Sequence, residues 1–499
     1  MSCSNPTTVN RNTCNSNLSI SYYIYNGTKK CFSVFVIENQ KSFVFGVFQP
    51  YFLNFSTETV LSAISHRRFW SIFGGFMAIK VCDAIMGSGK SSAAIAYMNE
   101  HPQEKFIYIT PYLEEAVRIR ESCPALDFKE PSDKIPEFEF KKYKHTVGLI
   151  AAGKNITSTH NMFLRYSDDM IEMIKKQGYT LIVDEAVEVL RPSTITASDM
   201  QLIEQAGWIT KEDGIITLSP SFDYDGGKFS EVVALARGNR LVDMPSCGYG
   251  NLYYYWIFSK DILQAFKDVI VLTYLFESQT MKYYFDIVKL PYKKIGIRRD
   301  AKGGYHFNDT MLYVPEYTKE LSSKIHIFDN EKMNAIGNKK TALSYTWYTR
   351  TSTKDEDGDI LRKNVYNFFR NYNKDKPADA RLWAAYKNGE TFIRGKGFYY
   401  SNIAFNAKAT NNYRDRNVLA YCVNIFMQPS EKQYLLANGA NVLEDEYALS
   451  VMIQWIWRSA IRDGEEIWIY IPSKRMRTLL RNWIGEVEQN YIHIKETTK

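Results

Sequence analysis

At 499 residues, 45% hydrophobic and 23% charged, the chain has ordinary soluble-globular composition and is too long for one core, so two or three domains are expected. The net charge of +7 carries little: residues 1–76 hold six Lys/Arg against two acids, which leaves residues 77–499 only mildly basic and so permits nucleic-acid binding without arguing for it. The seven cysteines form no CxxC pair and have no accompanying His cluster, so they read as scattered reduced thiols rather than a zinc site, and no apolar run reaches the roughly 18 residues of a membrane span.

Residues 1–76 differ from the rest. They open rich in Asn, Ser and Thr and continue aromatic, without helical or strand period, and their polar first 18 residues do not have the form of a signal peptide. Met77 then opens Ala78-Ile79-Lys80-Val81-Cys82-Asp83-Ala84, a natural first strand. The expectation is that Met77 is the true start and that residues 1–76 are a non-native leader or a disordered extension; a small accessory domain is the alternative.

A buried-strand pattern from Ile79 to Ile85 leads into Met86-Gly87-Ser88-Gly89-Lys90-Ser91, and a helix pattern runs from Ser91 to Glu100, ahead of Pro102. Phe106 to Ile109 is a short strand ending at Thr110-Pro111, followed by a helical run from Leu113 to Glu121 and a charged surface loop over 127–145. Asn155 to His160 reads as strand into turn, an amphipathic helix follows to Lys176, and Tyr179 to Val183 is a buried strand closed by Asp184-Glu185. Such alternation predicts an α/β fold with a parallel sheet covered on both faces. Residues 192–260 lose the alternation, and their turn signals suggest inserted hairpins; Val269 to Thr273 restores a buried strand. The basic stretch Lys293 to Gly304 reads as a linker, which divides the chain into a first domain over 77–290 and a second over 291–499. In the second, strands are predicted at Lys324–Phe328, Val418–Val423 and Glu466–Ile471, and helices at Lys363–Tyr372, Tyr447–Ile461 and Lys474–Ile484.

Three stretches carry chemistry. Strand, glycine loop, Lys-Ser and helix together make the phosphate-binding P-loop pattern, with Ala84 where the general pattern has its first Gly. Backbone N–H groups of Gly87, Ser88, Gly89 and Lys90 would wrap a β-phosphate, Lys90 would neutralise the β- and γ-phosphates, and the Ser91 hydroxyl would ligate Mg²⁺. Asp184 would hold the same Mg²⁺ and Glu185 would polarise a hydrolytic water. Third, on a helix through Gln454, Arg458 and Arg462 the spacing i, i+4, i+8 puts an amide and two guanidiniums on one face, the material of an arginine finger reaching a γ-phosphate across a cleft. Each has a plainer reading: a Gly-rich turn, a solvated strand end, a solvated basic helix face.

These stretches resemble motifs I, II and VI of superfamily 2 helicases, the DEAD/DEAH-like group with two RecA-like P-loop NTPase domains. Tyr108-Ile109-Thr110-Pro111 looks like motif Ia, Thr157 to His160 like the Thr-His element after it, Thr273 like motif III, Trp383 to Tyr386 like motif IV, and Ala409-Thr410-Asn411 with Arg414-Asp415-Arg416 like motif V. The ending Gln454 to Arg462 is similar to phage- and prophage-type DEAD/DEAH box helicases of Gram-positive bacteria. The resemblance covers about 77–485. It implies ATP and Mg²⁺ as ligands, and a nucleic-acid strand (DNA rather than RNA) contacted on its backbone by Thr110, Thr159 and Thr410, with Thr273 coupling. Arg458 and Arg462 are four apart, one more than the family's usual spacing; Arg462 is the preferred finger.

The reading is therefore an ATP-dependent helicase or translocase of phage or prophage DNA replication or recombination, acting in the host cytoplasm. The alternatives are a terminase-like packaging ATPase, for which Asp355, Glu356, Asp357 and Asp359 are clustered but sit in a polar loop, and a nucleic-acid-triggered ATPase switch without unwinding. Tyr253 to Trp256 could stack on bases, though such clusters are more often core.

Overall fold

In the computed structural model the described residues are four N-terminal strands and, from Ala78 to Thr497, everything except 112, 194, 213, 220–228, 238–239, 245–252, 311–312, 352–354 and 407–411. The chain divides into two compact units, Met1–Met77 and Ala78–Lys499. In the first unit, strands β1 (Ile20–Asn26), β2 (Lys30–Val36), β3 (Ser42–Val47) and β4 (Phe52–Ser56) form an antiparallel sheet in sequential order. The absence of a strand period in this sequence did not prevent strands. Runs such as ISYYIYN and KCFSVFV are aromatic and β-branched at both odd and even positions, so β-propensity is high while alternation is weak.

The second unit begins with a seven-stranded sheet. Its strands are β5 (Ile79–Asp83), β6 (Phe106–Thr110), β7 (Ile156–Thr159), β8 (Thr180–Asp184), β14 (Asp268–Thr273), β15 (Tyr292–Arg299) and β16 (Tyr305–Asn308), in the order β16-β15-β5-β14-β8-β6-β7. All neighbours are parallel except β15 and β16, which form a hairpin. The stretch read as a linker at 293–304 is thus a strand and turn of this sheet, and the boundary lies after β16, not at 291. Its basic residues misled: Lys293, Lys294, Arg298 and Arg299 are exposed towards the two ends of the strand, while Ile295, Gly296 and Ile297 bury its middle.

Between β8 and β14 an antiparallel sheet is inserted, ordered β10-β11-β12-β13-β9, from β9 (Leu190–Pro192), β10 (Ile209–Glu212), β11 (Ile215–Leu218), β12 (Leu241–Met244) and β13 (Tyr253–Ile257). The turn signals in 192–260 anticipated it. Tyr254, Tyr255 and Trp256 are at most 7% exposed, so these rings are core and not a stacking surface.

The remainder holds a parallel sheet ordered β17-β20-β19-β18, from β17 (Ile325–Ile327), β18 (Arg381–Ala384), β19 (Val418–Tyr421) and β20 (Ile467–Tyr470). Asp355 caps the helix Glu356–Asn367, whose first turn carries Glu356, Asp357 and Asp359. The acidic cluster is therefore a helix start, where negative charge meets the exposed N–H groups, and not the polar loop read from sequence. The helix Glu444–Ile456 stops short of the predicted end at Ile461. Trp457, Arg458 and Ser459 leave it in a turn, and a 3₁₀ turn follows at Ala460–Asp463.

Candidate nucleotide site between two α/β halves

The site forms where the parallel strands end. Register aligns Thr273 with Asp83, Leu272 with Asp184, and Thr110 with Thr159, so the P-loop, Asp184 and the three threonines all emerge from the carboxyl edge of one sheet. That edge is where open α/β sheets bind ligands. Strand β5 ends one residue before Ala84, and the helix Lys90–Glu100 starts directly after the loop. Gly87 (φ +72°) and Gly89 (φ +87°) occupy the left-handed region, which glycine adopts without strain.

Lys90 Nζ donates to the carbonyl of Ala84 and, at 3.0 Å, to that of Ile85. Burial pushes its pKa down, against the pull of Cys82, Asp184, Asp83 and Glu185. The ammonium is held by neutral acceptors inside a negative field, so an entering phosphate offers it a stronger partner. Ser88 is buried with a hydroxyl that finds no partner among the described residues, a second polar group of the loop left unsatisfied.

Asp184 keeps some exposure as a residue, but its carboxyl end is desolvated. Its pKa is raised to about 7, first by burial, then by Glu115 and Glu185, with Lys90 and Arg118 opposing. Its carbonyl accepts from His160 Nε2 at 2.9 Å, which ties the end of β7 to the end of β8. The buried ring of Tyr108 is the neighbour that Ser91 and Asp184 share. Ser91 and Asp184 are thus both neighbours of Tyr108, and no cluster of three or more His, Cys, Asp or Glu suited to a metal occurs among the described residues. Few protein oxygens beside a phosphate loop suit Mg²⁺, which keeps waters and shares phosphates.

Glu185 has φ +63°, an uncommon backbone for a non-glycine residue, held by its N–H donating to Leu272 O at 2.9 Å. Such conformations cost about 1–3 kcal/mol and concentrate at functional sites. Its Oε1 accepts from Arg458 Nη2 at 3.4 Å, while Oε2 is buried without a partner among the described residues. Arg458 is 6% exposed in its side chain and comes from the other half of the unit. The predicted single face of Gln454, Arg458 and Arg462 is not formed, because the helix breaks after Ile456. Gln454 stays half-buried on the helix, Arg458 turns inward, and Arg462 sits exposed on the 3₁₀ turn. Desolvation of its guanidinium, then the like charges of Arg458 and Arg414, lower the pKa of Arg462, while Glu115 of the first half draws it up.

The two halves meet around the loop. Ile85, Met86, Tyr274 and Leu275 pack against the core of the second half, Tyr317 Oη donates to Met86 O, and Trp483 Nε1 donates to Tyr274 Oη at 2.8 Å. Tyr317 also lies tilted against the ring of Trp457, one residue before Arg458. These contacts, with Glu115 and Arg118, had no motif to mark them in the sequence; His160 lay in the stretch read as the Thr-His element.

The threonines are unequal. Thr110 is fully buried, so its hydroxyl does not reach a surface. Thr159 is half-buried at the start of the helix His160–Phe163. Thr273 is buried and donates to Gln279 Oε1 at 2.9 Å, whose amide donates in turn to Tyr274 O. Thr410 lies outside the described residues. Arg414 pairs with Asp463, and Ala460 N donates to Arg416 O at 2.8 Å, so the 414–416 stretch buttresses the turn carrying Arg458 and Arg462.

Over 417 residues the chain is 35% identical to the SPbeta prophage-derived uncharacterized protein YonV of Bacillus subtilis (strain 168), covering 81% of this chain and 98% of the relative. The chain belongs to the YonV family. The family's C-terminal Rossmann-like domain matches residues 319–484, which coincide with the second parallel sheet and include Arg458 and Arg462. The prophage-derived relative agrees with the phage or prophage type expected from the sequence. Similar solved structures include an XPD helicase (TM-score 0.43, 10% identity, 81% of this chain and 94% of that one). Another is Xpd4 of S. tokodaii (TM-score 0.41, 10% identity, 85% and 96%).

Proposed function

We propose that this YonV-family chain is an ATPase motor of the helicase or translocase kind, hydrolysing ATP between its two α/β halves and moving along a DNA strand during phage or prophage replication or recombination. The observation that carries the reading is the Arg458–Glu185 pair. It joins a guanidinium of one half to the carboxylate beside Asp184 in the other, at the mouth of a P-loop. In this reading the loop amides and Lys90 bind the phosphates, and Ser91 and Asp184 hold Mg²⁺. That ion, when bound, neutralises charge on the β- and γ-phosphates. Glu185 orients the attacking water. Arg458, with Arg462 behind it, compensates charge developing on the γ-phosphate. A nucleic-acid strand that spans both halves would feel their relative movement each time the pair is made and broken.

The test is ATP hydrolysis with and without single-stranded DNA or RNA, for the wild type and Lys90→Ala. The expected result is stimulation by a single strand and loss of at least about a hundredfold in the variant. No stimulation by either nucleic acid would sink the motor reading. Stimulation with no displacement on a forked duplex would replace unwinding by translocation or switching.

A further inference from the structure

The nucleotide site has a second wall that no motif marks. The ring of Tyr305, at the start of β16, lies against Gly89: a β-carbon built on Gly89 would come within 2.2 Å of a ring carbon. The Arg299 guanidinium sits 5.4 Å from the Tyr305 ring centroid, and Tyr313 meets the same ring edge-on at 5.6 Å. Tyr305 and Tyr313 are half-buried, with Tyr305 packed against the core of this half, and Arg299 is exposed, so the cluster lies at the rim of the core where a ligand can reach it. The hairpin β15–β16 belongs to the P-loop's own sheet, with β15 hydrogen-bonded directly to β5. The Tyr97 ring of the P-loop helix meets the Phe307 ring of β16 at 6.0 Å, so the hairpin is seated on that helix. The cluster is therefore held rigidly beside the helix N-terminus, whatever the second half does.

A nucleotide with its β-phosphate in the loop must carry its ribose and base outward from the loop. Strand β5 begins at Ile79, and the loop itself contacts only the phosphates. Aromatic rings and guanidinium planes are the surfaces on which bases stack. We propose that Tyr305, backed by Arg299, is the base platform of the nucleotide site, and that the β15–β16 hairpin supplies the base recognition of this chain. The proposal rests on the P-loop reading above, and it adds the part of the ligand that the loop itself does not contact.

The experiment separates base from phosphate. Binding of MgADP and of inorganic tripolyphosphate with Mg²⁺ is measured by calorimetry on the full chain, for wild type, Tyr305→Ala, Tyr305→Phe and Lys90→Ala. Expected is a loss of roughly fivefold or more in MgADP affinity for Tyr305→Ala, unchanged tripolyphosphate affinity, and near wild-type behaviour for Tyr305→Phe. Equal MgADP affinity in Tyr305→Ala, or an equal change for both ligands, overturns the platform and makes Tyr305 a cover on the phosphate loop. Tyr305→Phe guards against misfolding: a phenyl ring keeps the packing on Gly89, so its loss of MgADP affinity with tripolyphosphate intact also counts against stacking. Lys90→Ala weakens both ligands if the phosphate loop is read correctly; if it weakens neither, the loop reading fails independently of the platform.

Discussion

Replacing Arg458 by Gln is the sharpest perturbation of the site. The guanidinium lies 3.4 Å from Glu185 Oε1, with 6% of the Arg side chain and 24% of the Glu side chain exposed. Two unit charges at that distance attract by ~5 kcal/mol at an effective dielectric constant of 20, and desolvation of both ions offsets part of this. Truncating one member of a buried pair costs about 3–5 kcal/mol. The partial exposure of Glu185 and the long contact place this pair lower, at about 1–3 kcal/mol. A double-mutant cycle of Arg458→Gln and Glu185→Gln on the urea transition, followed by tryptophan fluorescence, should return a coupling of that size. Trp457 and Trp483 are buried beside the contact and report on it. In steady-state ATP hydrolysis, Arg458→Gln should lower kcat by roughly 10³-fold or more. Arg458→Lys should recover little, because a point charge does not reproduce the guanidinium fork. Arg462→Gln, altering an exposed residue further along the turn, should lose less. A coupling below about 0.5 kcal/mol, or wild-type kcat in Arg458→Gln beside a severe loss in Arg462→Gln, would refute the assignment and restore Arg462 as the finger.

Two further outcomes follow from particular residues. Gly89→Ala places a methyl at φ +87° and 2.2 Å from the Tyr305 ring, so it should weaken nucleotide binding at least about tenfold and lower the Tm by several degrees, since the backbone strain alone costs about 1–2 kcal/mol. Relief of the Tm loss, but not all of it, in Gly89→Ala with Tyr305→Ala identifies the ring as part of the clash; no Tm change in the single variant contradicts both effects. Glu431 of the helix Pro429–Ala437 has its pKa raised to about 7, by burial and then by Glu188 of the first half. The fold prefers this carboxyl protonated, so stability is lost as pH rises from the unfolded value near 4.5 through about 7. Glu431→Gln should therefore stabilise the protein by about 1–2 kcal/mol at pH 8, discounted for the partial exposure of the residue, and by much less near pH 5. An equal gain at both pH values in thermal melts would show that the effect is not ionisation.

Periodicity and short-range chemistry were enough to read much of this fold. β5 and the helix Lys90–Glu100 flank the glycine loop as expected, and β8 ends on Asp184, because a strand buried on both faces leaves an apolar run and a phosphate loop needs its glycines at close spacing. The helix through Gln454 was misread for a related reason: Trp455 to Ile461 is apolar at many positions, and period alone does not show where such a run stops. The stop comes from outside the helix, where Ser459 Oγ donates to Ile456 O and Ala460 N donates to Arg416 O. The hairpin β15–β16 was missed because β15 is basic and exposed towards both ends and buries only its short middle, Ile295 to Ile297.

What the sequence determined by itself was the inventory at the carboxyl edge: Gly87 to Ser91, Asp184, Glu185, and two arginines far along the chain. It also determined that the fold is α/β, since alternation of strand and helix patterns is local. Only the tertiary structure decided which arginine meets Glu185, that Thr110 is buried, and that Tyr305 stands against Gly89. These are contacts between residues hundreds of positions apart or on separate strands. They depend on register, on where a helix breaks and on how two halves pack, and none of these leaves a period in the sequence.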